Sequence, residues 1–167
     1  MLLVEVASLS SHGSEASNSN QLVVFCLDEQ RYALRLFAVE QIVRMVEITP
    51  LPKAPEIILG VVNIGGRIVP VFHIRKRFHL PGRDIGLSDH LIVARTARRT
   101  VALTADAVIG VVARADEELA AVERIFPGLE YVEGVVKLDD GLVFIHDLDT
   151  FLSLEEEKKM ERALAPA

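Results

Sequence analysis

A chain of 167 residues, half of them apolar, has material for one domain or for two small units sharing an interface. Its 24 acidic residues outnumber 18 basic ones, and the net charge of −6 argues against nucleic acid or an anionic membrane as main partner. A lone cysteine excludes an internal disulfide, and with 5% aromatic residues and no tryptophan the core must be aliphatic, which favours strands.

Met1 to Val6 lacks a basic n-region, so a signal peptide is not expected, and no apolar run approaches the ~18 residues of a membrane helix. A cytoplasmic protein without direct membrane insertion is the expectation. Residues 1–20 are small and polar from Ser8 to Asn20 and read as a disordered leader. Gln21 to Leu27 and Arg31 to Leu36 then flank Asp28-Glu29-Gln30 as a predicted hairpin, with Cys26 as a small buried hydrophobe. Phe37 to Val43 suits a helical turn leading into a strand. Pro50, Pro52 and Pro55 exclude a long helix after it.

Ile57 to Ile64 and Arg67 to Ile74 predict a second hairpin about Gly65-Gly66, with Pro70 marking an edge or a bulge. A polar link from Arg75 to Ser88 leads to a third hairpin, Asp89 to Ala94 and Thr100 to Asp106, which Val108 to Val112 continues. Asp116 to Phe126 carries enough charge for a short helix, and Tyr131 to Asp147 forms a last hairpin turning at Asp139-Asp140-Gly141. The tail, 153–167, opens on a capping box, Ser153 with Glu156, and continues as a helix with a Glu155–Lys159 pair. Leu154, Met160 and Leu164 give that helix a thin apolar stripe, suited to covering a barrel or to binding a partner.

The second and last hairpins are copies. Gly60 to Ile74 realigns on Gly134 to Leu148 at a constant offset of 74, with the glycine and three valines identical. A hairpin cannot bury its apolar face alone, so two copies imply two small β units. They are expected over about 21–85 and 86–150, with strands free to swap between them.

Nothing here assembles catalytic chemistry. The glycines precede a strand without Lys-Ser/Thr, so they make no phosphate loop. His146 and Asp147 would point to opposite faces of a strand, a poor start for shared metal ligation. Arg75-Lys76-Arg77 and Arg98-Arg99 lack interleaved aromatics and read as solvated loops rather than an oligonucleotide track. No enzyme activity, cofactor or metal is expected.

Over about residues 21–152 the sequence resembles the CheW-type chemotaxis adaptor family. Tyr32-Ala33-Leu34, Val39, Ile42-Val43 and Ile48 to Pro55 carry the likeness, as do Ile58 to Ile64, Ile68 to Val71, Val101 to Leu103 and Val108 to Val112. Leu51 to Ile74 is its most specific part. The resemblance implies a mainly all-β fold: two five-stranded SH3-like barrels packed together, with short helices, a C-terminal helix and an apolar groove between the barrels. It implies an adaptor joining the chemoreceptor cytoplasmic tip to the regulatory domain of the chemotaxis histidine kinase, without nucleic acid, recruited to membrane-associated receptor arrays. A scaffold of a non-flagellar chemosensory pathway and a two-barrel ligand- or nucleic-acid-binding module are the alternatives.

Carried onto this chain, the binding residues implied are Val39, Gln41, Gly60, Gly65 and Arg67. Gly65 stands where the family has arginine and Gln41 where it has glutamate, and Glu40 with Arg67 offers a replacement pair. His73 departs from an acidic position that Asp147 keeps. Gly60 has two readings, a contact residue that Gly60→Asp would disable without unfolding, or a backbone requirement at a bulge.

Overall fold

The computed structural model describes residues 21–114, 119–121, 131–139 and 141–165; the expected leader lies outside them. Asp28, at φ 55°, makes the reversal between β1 (Gln21–Leu27) and β2 (Gln30–Arg35), a left-handed position that aspartate tolerates. A 3₁₀ turn at Leu36–Ala38 feeds β3 (Val39–Arg44), as the spacing predicted. The prolines then keep the chain from helix until β4 (Ile58–Ile64) and β5 (Arg67–Phe72). Between these two, Asn63 Oδ1 accepts the Gly66 N–H at 2.8 Å, and Gly65 and Gly66 take positive φ.

A single-turn helix, α1 (Ile74–Arg77), precedes β6 (His90–Arg95), β7 (Thr100–Ala105) and β8 (Ala107–Ala113). Then come β9 (Leu119–Ala121), β10 (Val132–Leu138), β11 (Gly141–His146) and, after a 3₁₀ turn, α2 (Leu154–Leu164). Two expectations give way. The helix predicted over Asp116 to Phe126 is strand at Leu119–Ala121, where β9 pairs with the outer edge of β10; the rest of that segment lies outside the described residues. Pro70 lies in an interior strand, because β5 runs between β7 and β4. Its missing donor is tolerated because the ladder to β7 involves only Val71 and Phe72.

The strands fall into a six-stranded sheet, β8-β1-β2-β11-β10-β9, and a five-stranded sheet, β3-β6-β7-β5-β4. They match the two expected barrels in kind, the first carrying three-residue β9 as its sixth strand, but the second is formed by β3 to β7 and the first by the strands before and after them. The repeat is present in three dimensions: Val62↔Val69 answers Val136↔Val143, and the register shifts before Gly60 as it does before Gly134. The pairing of the hairpins is crossed. Parallel β2–β11 joins the first hairpin to the last, and parallel β5–β7 joins the two middle ones.

Alternation then divides most of the apolar residues among three main cores, beside a small cluster of Val132 and Val135. Leu22, Val24, Ala33, Val136 and Val143 fill one barrel; Val62, Val69, Leu91, Val93 and Ala102 fill the other. The opposite faces of the same strands (Val23 and Phe25, Tyr32 and Leu34, Ile92, Val101 and Leu103) meet in a single cluster between the barrels. The interior of the seam is, for this reason, packed core.

Charge ties the seam at one end. Arg75 of α1 is buried and donates from Nη2 to Asp28 Oδ1 at 2.8 Å and to Asp106 Oδ2 at 2.7 Å, and from Nη1 to the Pro81 carbonyl at 3.0 Å. Arg83 reaches Asp106 at 2.6 Å and Asp89 at 2.7 Å. Burial pushes the Asp106 carboxyl up, but hydrogen bonds from Arg83, the Asp28 N–H and Arg75 outweigh it and hold the group below its ordinary range. Far from a solvated link, the segment after β5 is bolted to both sheets.

His146 occupies the repeat position of Phe72. Phe72 stacks on Phe151 at 4.5 Å, whereas His146 lies among Phe25, Tyr32 and Phe78, with neither ring nitrogen hydrogen-bonded among the described residues. Burial pushes its pKa down from 6.5 to about 3. Above pH 7 the ring is neutral in folded and unfolded chains alike; as pH falls below 6.5, only the unfolded chain takes up the proton, so stability drops toward pH 3. We expect wild-type to lose roughly 2 kcal/mol more stability between pH 7 and pH 5 than His146→Phe does, measured by urea unfolding.

Candidate binding surface

Strand β3 is an edge of the five-stranded sheet, and a bulge shapes it. Val39 pairs with Ala94 and Gln41 with Val93, which leaves Glu40 as the extra residue. Its carboxylate accepts from Arg67 Nη2 at 2.8 Å and from Thr100 Oγ1 at 3.0 Å, so the first residues of β5 and β7 converge on one bulge. The Arg67 hydrogen bond is the main cause that holds the Glu40 carboxyl below its usual range; Thr100 adds to it and partial burial opposes it. Arg67 is half exposed, and such pairs contribute about 0.2–1 kcal/mol. Their larger effect is to fix a plus and a minus charge at a defined place.

The structure distributes the implied site residues unevenly. Val39 is buried in the shared core with Ile42, and Gln41 beside it is half-buried. Gly65 lies at an open turn, with no atom within 4 Å of a Cβ placed there. Gly60 is a different case. A Cβ on it would come 2.3 Å from the Thr49 carbonyl oxygen, because Thr49 bridges to Val61 and closes the β4 edge at that point. Its glycine answers a backbone requirement, and Gly60→Asp is therefore no clean probe of contact.

Two apolar residues went unnoticed in the sequence. Phe37, in the turn before β3, is 70% exposed. Ile109, the residue left over by a bulge in edge strand β8, is 49% exposed, while Val108 and Val111 beside it pack on the same shared core as Val39. The signal was available: edge strands β3 and β8 each interrupt their alternation at the bulge. Cys26, expected to be buried, is half-buried and free.

The basic clusters are not the solvated loops expected. Arg77 donates to Glu156 Oε1 at 2.7 Å with its guanidinium over the Tyr131 ring, and Arg99 pairs with Glu161 at 3.3 Å. Among the described residues no three His, Cys, Asp or Glu side chains gather into a metal site, and no helix is long and apolar enough to cross a membrane.

Residues 21–156 match the CheW-like domain family. The chain belongs to that family. The chemotaxis protein CheW of Treponema pallidum is 26% identical over 146 residues, spanning 84% of this chain and 86% of the relative. That of Thermotoga maritima is 28% identical over 139 residues, spanning 83% and 91%. Among solved structures, the scaffolding protein TtCheW from Thermoanaerobacter tengcongensis superposes with a TM-score of 0.74 at 29% identity, covering 83% of this chain and 95% of that one. The family likeness drawn from Leu51 to Ile74 is borne out.

Two glycine variants separate backbone need from surface contact. Gly60→Ala is expected to cost more than about 2 kcal/mol in urea unfolding, through overpacking against Thr49. Gly65→Asn, at φ 58° with open space around it, is expected to cost less than about 1 kcal/mol.

Proposed function

We propose that this chain is an adaptor that couples chemoreceptors to the chemotaxis histidine kinase and works without catalysis. The observation that carries this reading is the match of nearly the whole fold to a scaffolding protein of the same family. The mechanism is geometric. Holding two partners on one rigid body raises their effective concentration and lets the conformation of one bias the other.

For the receptor's cytoplasmic tip we assign the margin of β3: exposed Phe37, Gln41, the Glu40–Arg67 pair and the Gly65 turn. Val39 supports this margin from beneath, and Gly60 keeps the β4 edge closed. The kinase regulatory domain takes a different face. The chain acts in the cytoplasm, drawn to receptor arrays by these contacts. A relocated charge pair, Glu40 with Arg67 in place of residues 41 and 65, favours service in a specialised, non-flagellar pathway as the second reading. A nucleic-acid-binding role has less support, since Arg75, Arg77 and Arg99 are committed to internal ion pairs.

The test is a pull-down with a receptor cytoplasmic tip and with the kinase regulatory domain. Glu40→Lys should weaken receptor capture by about tenfold or more, leave kinase capture within about twofold, and leave the circular-dichroism spectrum unchanged. Adding Arg67→Glu should restore part of the loss by re-forming the pair in reverse. Wild-type chain that captures neither partner would overturn the reading.

A further inference from the structure

We propose that α2 is a displaceable plug in a helix-binding groove, and that the groove accepts an acidic amphipathic helix of a partner protein in its place. The hold on α2 is slight. Met160 is its one fully buried side chain and Leu154, counted on for the apolar stripe, is 61% exposed. A cavity of about 240 Å³ remains between α2 and the β6–β7 turn, bordered by Phe72, Val101 and Leu148. A helix of 11 residues is too short to persist unsupported, so its docking rests on Met160, a partly buried Leu164 and its ion pairs to Arg77 and Arg99, and it opens as a local unit.

What α2 covers stays built when it leaves. Phe72, Val101 and Leu148 belong to the shared core, and Phe72 is held by its stack on Phe151, which precedes the helix. The groove also carries a charge code. Arg77 meets Glu156 in the first turn, and Arg99 meets Glu157 at 3.5 Å and Glu161 at 3.3 Å. The guanidinium of Arg77 lies 4.9 Å from the Tyr131 ring centre and 5.3 Å from that of Phe151, so it remains in place after the glutamate departs. The held guanidinium of Arg77 and that of Arg99, bordering an apolar floor, select an acid, an apolar residue four positions on, and another acid next to it. Glu156, Met160 and Glu161 of α2 spell that pattern, and a partner must reproduce it.

Neither receptor nor kinase enters the test, so it stands apart from the adaptor reading. The probe is a fluorescent peptide with the sequence of residues 153–165, added to full-length wild-type chain and to Met160→Asp, whose own helix is undocked. The peptide should bind Met160→Asp at least about tenfold more tightly than wild-type. A peptide in which the equivalents of Glu156, Glu157 and Glu161 are lysine should not bind. In hydrogen exchange on wild-type chain, α2 amides should open at least about tenfold faster than those of β1 and β7. Equal binding of both peptides, or no binding to folded Met160→Asp, would overturn the proposal. If Met160→Asp does not fold, the exchange decides: α2 amides released only with the whole protein would overturn it as well.

Discussion

Four strands of this protein have no solvent side along their middles. β1, β2, β6 and β7 give alternate central residues to a barrel interior and the rest to the seam between barrels, so those positions are almost all apolar, while Gln30, Arg31, Arg35 and Arg95 lie toward strand ends. That double burial is the constraint on which the other features depend. It explains why the chain is aliphatic, since branched residues of moderate size fill both faces of a strand without leaving voids. It is also why the proposed contacts lie at margins. The broad faces are spent on cohesion, and what is left to a partner is the bulged edges, the turns and the helix-covered rim.

The ion pairs follow the same division. Arg75 is sealed at the seam and satisfied by two carboxylates and a carbonyl, an arrangement in which removing one partner strands a buried charge. Glu40 and Arg67 are accessible and contribute little to cohesion. A charge pair that stabilises weakly yet is held by a bulge suits discrimination between partners better than folding.

Much of this was legible in the residues. The offset of 74 predicted both hairpin copies, and the structure places their strands at that same offset, as Ile58–Ile64 and Val132–Leu138 show. The capping box at Ser153 is formed as read. The family was legible from the proline-rich run and the Gly-x-x-Asn that follows it. Other features could not be read, for physical reasons. Periodicity reports which face is apolar and is silent on what covers it, so a filled seam and an open groove look alike. Local charge made Asp116 to Phe126 look helical, but a free edge on β10 recruited Leu119–Ala121 as strand. Arg75 read as solvated because its acids, Asp28 and Asp106, lie 47 and 31 positions away. Gly60 left two readings open, contact or backbone need, because nothing local to it in the sequence shows that Thr49 lies against it.

The crossed pairing of hairpins has a consequence for integrity. Because each sheet draws strands from both sides of the segment between α1 and β6, a nick there would not release two separate bodies. The fragments would stay clasped, each completing the other's barrel, and the cut would be silent until denaturant let the halves part.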